Sequence, residues 1–387
     1  MYSSSPVFAQ ITSVLYPTEF SRCADAFPMA KPPRGLSAYD HWLALAFGQL
    51  TYRESLRDIV ACLHARRSMQ YHLGFRGNIS RTNLAYASAH RDWRIFAAVA
   101  EVLMSRASRL YHHDLFDSDL PNLAFALDSS IIQLSLKLFP WGYYARSQQA
   151  AVKLHLLLSL KGNVPAWGAI TEANVPDMKM LDQIPILPGS YYVMDRGYLD
   201  FMRLHHIDQQ GGYFVVRSKH HVKFAVRQSR PVEPQTNLRC DQTIVLSTKW
   251  SKRFYPQPLR RIKVYDPEHQ LTLVLLTNNF EHKAAVIAEL YRRRWQVELF
   301  FKWIKQHLKI RSFYGRSENA VRCQIWAAIS TYLMVAILKK QLRLDKSLYQ
   351  ILQILSVSAF VQLPLIELLT NSEPDGMEPS SQNMLTL

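Results

Sequence analysis

Between Lys283 and Lys309 the chain contains neither proline nor glycine, the residues that most readily end a helix, so one continuous helix is expected there. On a wheel of about 100° per residue, Arg294, Glu298 and Lys305 fall within about 60° of Tyr291. Leu290, Val297, Phe301, Ile304 and Leu308 form an apolar stripe beside that line. One flank is set to pack while its neighbour displays an aromatic hydroxyl, a guanidinium, a carboxylate and an ammonium. Such a line suits a site that handles phosphate and metal. It also suits a solvated face stitched by ion pairs at helical spacing, with Glu298 paired to Lys302 one turn on.

Lys plus Arg number 46 against 30 Asp plus Glu, a net charge of +16 with a pI near 9.7. This excess favours a polyanionic partner, with nucleic acid the default. At 387 residues and 48% hydrophobic content, the chain can bury a large core in two or three units and is no disordered polymer. Cys23, Cys62, Cys240 and Cys323 are too scattered for a zinc site or a disulfide frame. MYSSSPVFAQ lacks the pattern of a signal peptide. Apolar runs such as Leu154–Leu160 and Ile351–Leu365 are too short or too interrupted to cross a bilayer. A soluble, cytoplasmic, nucleoid-associated protein is expected.

Residues 1–115 read as helical. Ser55 is placed to cap a helix running through Arg66, a loop follows with Gly74 and Gly77, and Ser80 is placed to cap RTNLAYASAHRDW. That last segment presents Arg81, Asn83, Tyr86, Arg91 and Arg94. Helix, turn and capped helix with Arg81 and Asn83 near its start is what a DNA reader of the helix-turn-helix type needs, and a plain helical bundle has the same pattern.

From Asn122 the period shifts to that of strands. LAFALDSS ends in a carboxylate, IIQLSLKL alternates, AVKLHLLLSL sets Lys153 and His155 on one side, and GSYYVMD ends at Asp195. Asp128 and Asp195 are thus expected where strands end. Between Gly212 and Asn279, short β-prone runs separated by Pro, Asn and Asp read as an all-β insertion. The resulting division is a helical unit over 1–115, an α/β core over 120–211 and 281–345, a β-rich insertion over 212–280, a helical region over 346–370 and a polar tail over 371–387. If the long helix packs on the sheet, Asp128, Asp195 and Glu298 converge. Three such acids in a basic protein call for Mg²⁺ or Mn²⁺ as compensation, and paired ions suit phosphodiester transfer. Taken singly, each acid has an ordinary role open to it: a turn cap for Asp128, a pair with Arg196 for Asp195.

These residues carry a resemblance. Tyr291-x2-Arg294-x3-Glu298-x6-Lys305 matches the YREK signature of DDE transposases of the IS4 family of bacterial insertion sequences. YVMDRGYLDF and ALDSS followed by LFPW resemble that family's acid blocks. The resemblance covers nearly the whole chain. It implies an RNase H-like catalytic core with a β insertion behind a helical DNA-binding domain, and cut-and-paste transposition of an element bounded by inverted repeats. It further implies Asp128, Asp195 and Glu298 as ligands of two ions, and Tyr291, Arg294 and Lys305 as phosphate contacts. Arg196 is expected at the DNA, and Trp250 is a candidate for stacking on a flipped base, with packing its competing role. A synaptic homodimer on double-stranded DNA completes the expectation. A catalytically inactive, transposase-derived DNA-binding protein or repressor is the alternative.

Overall fold

The structure, a computed structural model, describes residues 5–29, 35–112, 114, 122–233 and 236–370. The tail expected over 371–387 lies outside the described residues. Six helices come first: α1 (Val7–Thr12), α2 (Pro17–Asp25), α3 (Ala38–Leu50), α4 (Leu56–Ala65), α5 (Arg81–His90) and α6 (Arg94–Tyr111). Ser37, Ser55 and Ser80 start α3, α4 and α5, each hydroxyl accepting the amide three residues on. Arg91, expected on the displayed face, is instead buried. Its guanidinium donates to the carbonyls of Leu36 and Ser37, both at 3.0 Å, which satisfies the buried Leu36 oxygen.

The strands are β1 (Ala124–Leu134), β2 (Tyr143–Tyr144), β3 (Gln149–Ser159), β4 (Val164–Glu172) and β5 (Tyr191–Met194). After α7 (Phe201–Gln209) come β6 (Tyr213–Arg217), β7 (Phe224–Arg230) and β8 (Leu238–Leu246). A short α8 (Lys249–Phe254) then leads to β9 (Leu259–Asp266) and β10 (Leu271–Thr277). All ten form one sheet in the order β2-β3-β1-β5-β6-β10-β9-β8-β7, with β4 also on β3. β1 runs antiparallel to β3 and parallel to β5, and β5 is parallel to β6. The segment expected as an all-β insertion therefore opens with a strand of the parallel core, β6. It goes on to widen the same sheet by an antiparallel meander, and it contains the helix α8.

LAFALDSS and IIQL are one strand, not two. Asp128 accordingly sits in the middle of β1, where its four-residue parallel neighbour β5 stops. Alternation of side chains sorts the strands into two faces. Ala124, Ala126, Ile132, Tyr191 and Val193 join one buried cluster, whereas Phe125, Leu127, Tyr192 and Met194 join another. By the same parity Asp128 and Asp195 share the first face.

That face is covered by α9 (Ala284–Arg293), α10 (Trp295–His307) and α11 (Glu318–Gln341), followed by α12 (Leu348–Ser358) and α13 (Leu365–Thr370). The helix expected to be continuous from Lys283 to Lys309 breaks at Arg294. There the amides of Arg294 and Val297 bond to carbonyls three residues back, both at 3.1 Å, so the ladder tightens for one turn while the backbone stays helical. The predicted stripe of Leu290, Val297, Phe301, Ile304 and Leu308 is buried throughout.

α11 is long and apolar enough to cross a membrane, yet 94% of that apolar window lies inside the fold. It was not among the apolar runs that stood out in the sequence. Gly168 of β4 lets it approach the sheet, since a Cβ there would stand 2.8 Å from Leu156 and 3.2 Å from Trp326. One continuous cluster of buried side chains runs from Val7 through the sheet to Leu369. Each fully buried Leu, Ile or Val in it contributes about 1.5–3 kcal/mol, and the first six helices draw on the same core as the strands.

Candidate active site

Parallel pairing of Leu127 with Met194 ends the β1–β5 ladder. One step further sets Asp128 beside Asp195, on strands about 4.8 Å apart. From above, the tightened turn between α9 and α10 reaches both acids. The Tyr291 hydroxyl donates to Asp195 Oδ1 at 3.1 Å. The Arg294 guanidinium donates to Glu298 Oε1 at 2.7 Å and lies 3.6 Å from Asp128 Oδ2. Asp195 pairs with neither Arg196 nor any other residue of its own loop; Arg217, at the end of β6, stands 3.9 Å away. Nor does Glu298 pair with Lys302: its partner lies one turn back. The three acids thus form one constellation, with Arg294 and Tyr291 as its ties.

The electrostatics match this arrangement. Burial raises the Asp128 carboxyl to about 6, with Glu298 and Asp177 adding to the rise and the Ser129 amide and Arg294 opposing it. Burial also works against the charge of Arg294, but Tyr291, Glu298 and Asp128 outweigh it and hold the guanidinium protonated. Its buried Nε has no acceptor. Burial pushes the Tyr291 hydroxyl up to about 12, so it stays a donor.

Divalent cations fit these residues. The donors are all carboxylate oxygens, the cluster carries one bridging cation for three acids, and Asp128 resists ionising without further positive charge. The acids are spaced by Arg294 rather than closed on a single point. Among the described residues, the only His, Cys, Asp or Glu trio with ligand atoms within 4.8 Å of one another is Asp266, Glu268 and His269, at the β9–β10 turn.

The remaining predicted residues are more dispersed. Lys305 donates to the Ile131 carbonyl at 2.8 Å, beyond the acids along β1. Burial and the nearby Arg311 lower its ammonium. Arg196 is exposed beside Asp195, and Arg81 is exposed at the start of α5, where Asn83 is partly covered. Trp250, on α8, is 67% exposed and, among the described residues, stacks on Phe254 at 6.1 Å rather than packing into a core.

One group has no counterpart in the sequence reading. Asp177, the first residue of a 3-10 helix (Asp177–Asp182) after β4, accepts the Ser129 hydroxyl at 2.8 Å and the Lys153 ammonium at 3.0 Å. His155 Nδ1 lies 3.9 Å from it. By strand parity Ser129 points to the face opposite Asp128, so Asp177 braces β1 from behind. Lys153 and His155 on one side of a strand were the available signal; their partner was not legible.

The fold is that of an RNase H-like core, with carboxylates from the sheet and a helix gathered over one of its faces. Residues 120–334 match the family described as Transposase DDE domain, and residues 3–76 match a domain of unknown function, DUF4372. The y4zB protein of Sinorhizobium fredii, named as a transposase, is 33% identical over 66% of this chain and 70% of its own length. A protein of Synechocystis named as the transposase of insertion sequence element IS4SA is 25% identical, over 70% of this chain and 76% of that one. A solved synaptic complex of piggyBac transposase with hairpin DNA matches at a TM-score of 0.43 and 10% identity, over 99% of this chain and 87% of that one, too loose a likeness to build on. The chain belongs to the DDE transposase family, of the IS4-like insertion-sequence kind. It is a DNA-binding enzyme of a family that works with divalent metal ions.

Proposed function

We propose that this transposase cuts and rejoins DNA at the inverted-repeat ends of its own insertion sequence, by cut-and-paste transfer, with Asp128, Asp195 and Glu298 as the catalytic acids. The observation that carries this reading is the Arg294 bridge between Asp128 and Glu298, at 3.6 and 2.7 Å, beside the Tyr291 bond to Asp195. Together these contacts gather an acid within β1, one just past β5 and one on α10.

Asp128, Asp195 and Glu298 would hold two Mg²⁺ or Mn²⁺ ions. When bound, such ions lower the pKa of a water or 3′-hydroxyl nucleophile and neutralise the leaving oxygen. Arg294 holds the acids' charge in their absence. Relieved of that duty it can turn its fork, including the unpaired Nε, to a phosphate oxygen. Tyr291 orients Asp195 and offers a phosphate a hydrogen bond. Lys305 supplies a point charge one subsite along. Arg196 flanks the strand at Asp195, Arg81 and Asn83 on α5 read the element end, and Trp250 offers a stacking face. A synaptic homodimer in the bacterial cytoplasm is the working assembly.

The test is a duplex bearing the element's ends, taken from the DNA flanking the reading frame. Incubated with Mg²⁺ or Mn²⁺, the protein is expected to nick at the end and join the freed 3′-end to target DNA. Binding without cleavage under any divalent ion overturns the catalytic reading.

A further inference from the structure

A cleft of about 830 Å³ opens where the acid cluster ends. Its floor is apolar, with Ile131 of β1 and Ile310 after α10, and Tyr144 lies at one side. Three cations line it: Lys305, Arg146 and Arg311. No aspartate or glutamate does. Arg146 and Arg311 are exposed, and neither is in an ion pair among the described residues. Lys305 is tied to the Ile131 carbonyl at 2.8 Å, which joins the end of α10 to β1 at the mouth of the cleft. Cations crowded together without an acid repel one another, and burial with Arg311 nearby already lowers the Lys305 ammonium. A polyanion removes that conflict, while an apolar floor suits sugars and base edges.

Distance sets the register. Ile131 is three residues beyond Asp128, roughly 10 Å along a strand rising about 3.3 Å per residue. Lys305 is seven residues beyond Glu298, also roughly 10 Å along a helix rising 1.5 Å per residue. Both elements lead from the acids to the cleft, over a length of about three nucleotides at 3.4 Å per step.

The geometry points to this cleft as a second DNA-backbone subsite, in which Arg146 and Arg311 hold phosphates about three nucleotides from the bond that is cut. It rests on the reading of the three acids as the scissile centre. The subsite fixes the strand's path away from the acids and so its angle of presentation, a task that Tyr291 and Arg294 cannot complete from the acid end alone.

The experiment compares the wild type with Arg146→Glu/Arg311→Glu and Arg146→Lys/Arg311→Lys on the same end-bearing duplex. With two phosphate contacts gone, the slope of log affinity against log salt is expected to flatten by about 1.8 in the Glu variant, two phosphates at about 0.9 each. The Lys variant keeps the wild-type slope, and melting temperatures of all three coincide. Methylphosphonate linkages placed singly from the first to the sixth position then locate the contact. Neutralising the third or a neighbouring linkage weakens wild-type binding several-fold and leaves the Glu variant unchanged. An unchanged slope in the Glu variant of a protein that still cuts DNA overturns the subsite alone. A flattened slope in a protein that cuts nothing with Mg²⁺ or Mn²⁺ overturns the catalytic reading and keeps the cleft as a phosphate-binding surface.

Discussion

The hydroxyl of Tyr291 lies 3.1 Å from Oδ1 of Asp195, so the helix turn before Glu298 is bonded directly to the acid that follows β5. The motif on the helix and the acid on the sheet, 96 residues apart in sequence, are one piece of machinery. Tyr291→Phe removes a hydrogen bond to a charged group, a loss of about 1.5–3 kcal/mol when such a bond is well formed. Cleavage is expected to fall by one to two orders of magnitude with the fold intact, as measured by single-turnover nicking alongside circular dichroism. Full activity in Tyr291→Phe would remove the bond from the account.

Asp128→Asn, Asp195→Asn and Glu298→Gln keep shape while removing charge. Each is expected to abolish strand cleavage, and each should leave affinity for end DNA within about threefold, because phosphate contacts rather than acids dominate binding. Gel-shift and nicking assays on the same preparations read the two properties separately. An Asp195→Asn protein that still cuts would exclude that residue from the chemistry.

Arg294→Ala tests the role of the guanidinium as resident countercharge. Removing it leaves Asp128 and Glu298 facing each other half-buried, and stability is expected to drop by about 1–3 kcal/mol in chelator. Mn²⁺ should restore more of that loss in the variant than it adds to the wild type, because the ion supplies the missing charge. Equal metal-dependent shifts in urea denaturation midpoint for the two proteins would contradict this.

Asp128 also sets a pH dependence. Its carboxyl titrates at about 6 in the fold against an ordinary 3.8. Between about pH 4 and 6 the folded protein keeps a proton that the unfolded chain has lost. Stability in chelator therefore falls as pH rises through that window and levels off above it. The full difference is about 3 kcal/mol, from roughly two pKa units at 1.36 kcal/mol each. Denaturant midpoints measured across that range should show the fall in the wild type and a correspondingly smaller one in Asp128→Asn. Parallel curves for the two proteins would assign the dependence to other groups.

Asp177→Asn releases Ser129 and deprives the buried Lys153 of its anion. A loss of stability is expected, together with an activity loss larger than the stability change explains, since β1 carries Asp128 next to Ser129. Lys153→Met in the same background should recover stability, with a coupling of about 1 kcal/mol in a double-mutant cycle, without recovering cleavage. Recovery of both would make the brace purely structural.

Much of this site was legible because it is written in local periods. The helical line from Tyr291 to Lys305, the strand leading to Asp195 and the serine caps at Ser55 and Ser80 each depend on residues within a few positions. What escaped depends on distant partners. The break at Arg294 has no proline or glycine to mark it; it falls where Tyr291 and Arg294 reach Asp195 and Asp128 on the sheet. β1 reads as two segments because polar residues in its middle face a site and its brace rather than solvent. Asp177 opens a short 3-10 helix whose partners, Ser129 and Lys153, lie 48 and 24 residues away. The sharing of one core between α1–α6 and the sheet is a property of α11, whose largely apolar middle, residues 325–338, marks burial without saying by what.

That shared core has a mechanical consequence. Asn319, at the start of α11, donates to the carbonyls of Ser88 and Arg91 at the end of α5, at 2.8 and 2.6 Å, and α11 itself backs the sheet. On the proposed reading, in which α5 reads the element end and the three acids cut it, both are soldered to the same shaft through α11. An element end whose recognised bases are shifted by one or two pairs would then not be accommodated by reaching further. The gauge between recognition and incision would be cast into the hub itself.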